Sequence, residues 1–323
     1  MAASACRSAG ANKTTPPAPE DLRPRIIFDT DANNELDDQH AIAYLLFNSQ
    51  LWNVVGITTN ATTNGGPIAE HSAEVKRIVH LAGAENPVPV IDGENGTFEQ
   101  ILPSVKAEHD GKAAVDFILQ QSRASSRPLT ILAVGKLTNV ALALARDPTL
   151  ADRARLVWLG SNWPDDANEY NEADDRPSVN YVLDSKIPFD VVTVGGKSGT
   201  EKVWVSTQEI AQRMPGLGPK VSPIKGRHGG EFGTFGDYSV NLFEHSGDKH
   251  RALHDMATAA VLKNVSWAES QTLPAPRIEG KRWVPRPENP RTVRFFLNLN
   301  RDANIEDFYA VMQRPELVQA HRP

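Results

Sequence analysis

Arg25-Ile26-Ile27-Phe28-Asp29-Thr30-Asp31-Ala32-Asn33-Asn34-Glu35-Leu36-Asp37-Asp38 is an apolar run that breaks into an acidic turn. Arg25–Asp29 reads as a buried strand. The residues after it, Asp38–Phe47, place Ala41, Ile42, Leu45 and Leu46 at helical spacing. The turn between strand and helix holds Asp29, Asp31, Glu35, Asp37 and Asp38 and no basic residue. Helix starts favour one or two acids through the macrodipole. This density asks for more, because two carboxylates ~4 Å apart repel by about 4 kcal/mol at an effective dielectric near 20. A divalent cation cancels that repulsion, and an oxygen-only ligand set suits calcium or magnesium rather than zinc.

The strand-turn-helix unit recurs along the chain. Val54–Thr59 reads as a second strand, Ser72–Leu81 as an amphipathic helix closed at Gly83, and Val88–Ile91 as a short strand. Leu129–Val134 is a strand, and Thr138 opens a helix that Pro148 stops near Arg146. Strands are expected at Leu156–Leu159, Phe189–Val194, Val203–Val205 and Val293–Leu299. Helices are expected near Val179–Asp184, at Leu253–Leu262 and at Ile305–Met312, and Thr207 is the expected cap of a further helix. The alternation predicts an α/β fold, a mostly parallel central sheet with helices on both faces. Such sheets bind ligands at the carboxyl ends of their strands. Ile224–Tyr238, with five glycines, reads as a mobile loop, and the Pro-rich Thr272–Pro290 as irregular.

The 323 residues carry 34 Lys and Arg against 40 Asp and Glu, a net charge of -6. No basic block offers electrostatic support for nucleic acid, and no apolar run approaches the ~18 residues of a membrane span. Residues 1–24, rich in Ala, Ser, Thr and Pro, read as a disordered leader ahead of one catalytic domain over 25–323. Cys6 is the only cysteine, which excludes an internal disulfide. Ala3-Ser4-Ala5-Cys6 resembles the end of a bacterial lipoprotein signal. Two readings stay open: a floppy terminus on a cytoplasmic protein, or an extracytoplasmic lipoprotein lipidated at Cys6 whose signal core has been removed.

An Asp-x-Asp after a first strand also opens the haloacid dehalogenase-like phosphatases, but those continue with Gly-Thr or Gly-Val where this chain has Ala32-Asn33. The Asp29-Thr30-Asp31 turn with Asp37-Asp38 instead resembles the Asp-x-Asp-Pro-Gly-x-Asp-Asp pattern of the inosine-uridine preferring nucleoside hydrolase family, in a form two residues longer. Further segments resemble that family in its order. Gly56-Ile57-Thr58-Thr59 leads to a loop with two candidate ribose ligands, Asn60 and Asn64. Val134-Gly135-Lys136-Leu137-Thr138-Asn139 is similar to a Gly-Pro-Leu-Thr-Asn turn, with Lys136 in place of Pro. Glu169-Tyr170-Asn171 resembles Glu-Phe-Asn, and His254-Asp255 a late His-Asp pair.

The resemblance implies calcium-dependent hydrolysis of the N-glycosidic bond of a ribonucleoside. It implies a calcium site of Asp31, Asp38, Asp255 and the carbonyl of Val134, with Asp31 also the general base. Asp37 and Asn171 would hold ribose hydroxyls, and Glu169 with Asn162 the 5′ side. Asn64 and His109 are further substrate-binding candidates, and His254 is the candidate acid for the leaving base, its ordinary pKa of about 6.5 lying near working pH. Two alternatives stay open beside hydrolysis: a non-catalytic sugar- or nucleoside-binding protein on the same scaffold, and the phosphatase. The partner expected is a small ribonucleoside, and a homo-oligomer is left open.

Overall fold

A computed structural model describes residues 21–83, 88–195 and 199–314. The expected leader and Cys6 fall almost wholly outside them. From the amino side run β1 (Arg25–Thr30), α1 (Asp37–Phe47), β2 (Asn53–Thr59), α2 (Ile68–Leu81), β3 (Val90–Ile91), α3 (Phe98–Ile101), α4 (Lys112–Arg123), β4 (Leu129–Ala133) and α5 (Thr138–Arg146). Then come β5 (Ala154–Leu159), α6 (Tyr170–Asp174), α7 (Arg176–Asp184), β6 (Phe189–Val192), β7 (Trp204–Ser206), α8 (Thr207–Arg213), β8 (Ile224–Lys225) and β9 (Glu231–Phe232). The rest is α9 (Phe235–Ser246), β10 (His250–Ala252), α10 (His254–Lys263), β11 (Glu269–Pro274), β12 (Arg277–Glu279), β13 (Arg282–Val284), β14 (Thr292–Leu297) and α11 (Arg301–Met312).

The central sheet has the order β11-β14-β6-β5-β4-β1-β2-β3. Every neighbouring pair is parallel except β11 with β14. A strand covered on both faces reads as an unbroken apolar run, which is why β1 carries Ile26-Ile27-Phe28. Its side chains alternate between two cores. Ile26 and Phe28 join one core with α1, α10 and α11, while Ile27 joins the other with α4 and α5. All eleven residues of α1 are buried, so it is an inner helix wedged between the sheet and its neighbours. The chain leaves β1 for β2 on one side, while β4 pairs on the other. The direction of winding changes at that point, and a crevice opens beyond the strand ends.

Three expectations need correction. Ile224–Tyr238 is not a bare loop: β8 and β9 form an antiparallel hairpin, and α9 begins at Phe235. Thr272–Pro290 is not irregular throughout, because it contains the end of β11 and the β12–β13 hairpin. Ser206, not Thr207, caps α8, accepting the backbone N–H of Glu209 at 3.0 Å.

Candidate active site

A pocket of about 150 Å³ opens at the carboxyl edge of the sheet. Asp31 follows β1 and Val134 follows β4, so the pocket straddles the switch point. Asp37 and Asp38 begin α1, and His254 and Asp255 begin α10. Two helix N-termini therefore converge on one spot, each aiming partial positive charge at it. Glu169 and Asn171 enter from the α6 side, and Leu159 and Val194 supply apolar wall.

The acids dominate the electrostatics. Asp31, Asp37, Asp38 and Asp255 are each at most 6% exposed. Asp37, Asp38 and Asp255 each offer a carboxylate oxygen, and these oxygens lie within 4.8 Å of one another. Ligands at 2.3–2.6 Å from a common ion stand no more than about 5 Å apart, so the trio fits one hard cation. Burial pushes the Asp31 and Asp37 carboxyls up to about 7. Asp38 and Asp255 are driven well above the usual carboxylate range, by burial first and then by their acidic neighbours. Among the described residues no Lys or Arg forms an ion pair with any of the four. Hydroxyls and one amide offset part of the penalty. Thr30 donates to Asp38, Thr62 donates to Asp31, and the backbone N–H of Asp255 approaches Asp37 at 3.4 Å.

Around this centre the polar groups are fixed by their neighbours. Asn171 spends its Nδ2 on two carbonyls, Val134 at 2.7 Å and Leu159 at 3.1 Å. Its Oδ1 is the atom left for a ligand. Glu169 caps α6 by accepting the N–H groups of Asn171 and Glu172 and also that of Ser161. His254 Nδ1 pairs with Thr200 Oγ1 at 2.8 Å. Burial, helped by the nearby Arg251, lowers its pKa to about 4, so the ring is neutral at neutral pH. The expectation of an imidazole titrating near 6.5 is corrected accordingly.

A model of the family described as inosine-uridine preferring nucleoside hydrolase matches residues 26–305. The chain belongs to the inosine-uridine preferring nucleoside hydrolase family. Over 198 residues it is 30% identical to a probable uridine nucleosidase 1 of Oryza sativa, spanning 53% of this chain and 59% of the relative. Over 140 residues it is 33% identical to the pyrimidine-specific ribonucleoside hydrolase RihA of Salmonella paratyphi A, covering 42% and 43% of the two chains. The matched stretch thus spans about half the length of these curated relatives. Among solved structures it resembles an inosine-uridine preferring nucleoside hydrolase from Bacillus anthracis, with TM-score 0.68, 17% identity and coverage of 90% and 99%. A purine-preferring ribonucleoside hydrolase from Gardnerella vaginalis gives TM-score 0.70, 18% identity and coverage of 92% and 99%. These likenesses carry the nucleoside hydrolase fold, and the haloacid dehalogenase-like alternative falls with the family assignment.

Within this nucleoside hydrolase scaffold the expected site residues divide into two groups. Asp31, Asp37, Asp38, Val134, Glu169, Asn171, His254 and Asp255 all line the pocket. Asn64, His109 and Asn162 do not. Asn64 is exposed, and its backbone N–H donates to the Tyr170 hydroxyl at 2.8 Å. His109 lies in the loop before α4, with Nδ1 against the Asp110 carbonyl. Asn162 turns its Nδ2 to Asp166 at 3.1 Å. The other asparagine weighed in the loop after β2, Asn60, is fully buried and donates to Asp29 at 2.8 Å, so it braces the turn instead of facing the pocket. Asn34, Glu35, Tyr170 and Val194 line the pocket without having been assigned a role. Asn34, Glu35 and Tyr170 stood inside quoted motifs. Thr62 and Thr200, which hold Asp31 and His254, follow no motif and become visible only through their contacts.

Proposed function

We propose that this chain hydrolyses the N-glycosidic bond of ribonucleosides, releasing ribose and the free base, and that calcium is the cation of its acidic site. The observation that carries the reading is the convergence of Asp37, Asp38 and Asp255 within 4.8 Å, all three buried and, among the described residues, in no ion pair with a Lys or Arg. Asp31 and Val134 line the same pocket, and the Asp31 carboxylate and the Val134 carbonyl would complete an oxygen-rich set that suits calcium. Held by these residues, calcium would supply Lewis-acid chemistry, lowering the pKa of a water and polarising the sugar hydroxyls.

The chain's own residues do the rest. Asp31, whose carboxyl burial pushes to about 7, takes the proton of the attacking water as general base. With one carboxylate oxygen toward the cation, Asp37 uses the other, together with the free Oδ1 of Asn171, to accept ribose hydroxyls, and Glu169 sits toward the 5′ side. As the glycosidic bond lengthens, positive charge grows on the sugar ring, and the surrounding carboxylates stabilise it where water is excluded. His254 faces the leaving base. With Nδ1 engaged by Thr200 and the ring neutral, Nε2 is the atom that hydrogen-bonds the departing base.

The test is ribose release from inosine, adenosine, uridine and cytidine, assayed by reducing sugar with calcium and with excess chelator. Release from at least one nucleoside, abolished by chelator, is expected. Calcium binding without release from any of them would make the chain a nucleoside- or sugar-binding member of the family instead.

A further inference from the structure

Among the described residues, the most completely buried ion pair lies beside the pocket and not in it. Lys136 is 2% exposed and Glu94 fully buried, with Nζ 3.7 Å from Oε1. Neither carboxylate oxygen of Glu94 has a hydrogen-bond partner. The same ammonium donates to the Gly96 carbonyl at 2.6 Å and the Asn95 carbonyl at 3.3 Å. Lys136 belongs to the turn between β4 and α5, while Glu94–Gly96 follow β3. In the sheet, β1 and β2 lie between those two strands. One lysine side chain therefore reaches past the ends of two strands and ties the far loop to the turn that carries Val134.

The neighbouring contacts make this tie continuous with the pocket. The Glu94 carbonyl accepts the Ala61 N–H at 3.0 Å, which brings in the loop after β2. Val134, two residues before Lys136, donates its N–H to the Asp29 carbonyl at 2.8 Å and offers its own carbonyl to Asn171. Gly135 between them has no room for a side chain, since a Cβ there would lie 2.5 Å from Asn60 Oδ1. The turn is thus held from both ends, and among the described residues Lys136 is its only charged anchor. A proline at 136, which the family's turn carries, supplies no such donor.

We infer that Lys136 is a positioning residue for the cation site: paired with Glu94, it sets the turn that aims the Val134 carbonyl into the pocket. This rests on the reading of Val134 as a ligand in the proposed function. The test is calcium binding to the purified protein by isothermal titration, in the wild type, Lys136→Met and the double variant Lys136→Met/Glu94→Gln. Lys136→Met leaves the Glu94 charge buried alone and is expected to unfold at a lower temperature. The double variant removes both charges and should regain most of that stability. In it the calcium Kd is expected to rise about 10- to 100-fold, the range found when residues that orient metal ligands are removed. A wild-type Kd in the double variant overturns the inference and leaves Lys136 a stability device. A wild type that binds no calcium overturns the inference together with the function it rests on.

Discussion

Asp147 and Asp38 are the same side chain at opposite edges of one sheet. Asp147 sits at the amino edge, ahead of β5, and is reached by Arg123, by Arg153 at 2.9 Å and by Thr149 through both N–H and hydroxyl. Its partial burial pushes the carboxyl up, but these partners outweigh that push and hold it well below the usual range. Asp38 sits at the carboxyl edge with one threonine hydroxyl and three acidic neighbours, and burial drives it the other way. One edge satisfies its charge from within the chain. The other concentrates charge that the chain leaves uncompensated, which is the arrangement of a site built for an external cation.

The largest effect expected from breaking that contrast is on turnover. Asp31→Ala should keep the fold and lose kcat by about 100- to 10,000-fold, the usual contribution of a positioned general base. Steady-state ribose release measures it, and a loss below tenfold sinks the assignment. Next comes a reversal of sign in stability. Asp38→Asn removes a buried charge that the metal-free protein cannot compensate, so its Tm in chelator should rise by a few degrees, on the order of 1 kcal/mol or more. In saturating calcium the same variant should be less stable than the wild type. A fall in Tm under both conditions contradicts the idea of charge held in reserve.

Acidity gives a third handle. Asp31 and Asp37 have folded values of about 7 against an ordinary 3.8. Carboxyls raised by folding favour the native state below their unfolded value, and that contribution is lost as pH climbs through the folded value. The metal-free protein should therefore lose stability between about pH 4 and pH 7. Calcium takes the deprotonated form, so the Tm gain on adding it should grow from pH 5 to pH 8. Thermal melts with chelator and with calcium across that range decide the matter, and a gain independent of pH counts against these four acids as the ligands.

The legibility of the sequence follows the same division. The opening unit was readable because a strand buried on both faces must be apolar throughout, and acids this dense have few structural uses. Asp255 stands 218 residues from Asp37, and no local pattern could join them; the resemblance to a family motif did. Positions in loops were the weak point. Whether Asn60 or Asn64 faced the pocket depended on a loop path that no hydrophobic period fixes, and neither does. Glycine misled at Ile224–Tyr238. Gly229 and Gly230 serve the hairpin with positive φ, but Gly236 lies inside α9, where a Cβ would meet the Met214 carbonyl at 2.0 Å. Close packing, not flexibility, explains that glycine. The hairpin in the Pro-rich stretch was hidden for a related reason, since its prolines flank β12 and β13 while Gly280 turns between them.

The smallest expected effect lies at the quiet edge and is the control for the rest. Asp147 accepts Thr149 as a cap and pairs with two arginines whose side chains are 56% and 28% exposed. Solvent screens such pairs, so most of the loss in Asp147→Ala is the cap, about 0.5–2 kcal/mol. The Tm should fall by a few degrees at most, and acid should narrow the gap, because a carboxyl held low loses its stabilising contribution once it is protonated. Calcium affinity and ribose release should match the wild type, since among the described residues the side-chain partners of Asp147 are Arg123, Thr149 and Arg153, none of which lines the pocket. A change in calcium affinity here would mean that the two edges are coupled through the sheet, and the contrast between them would no longer separate stability from function.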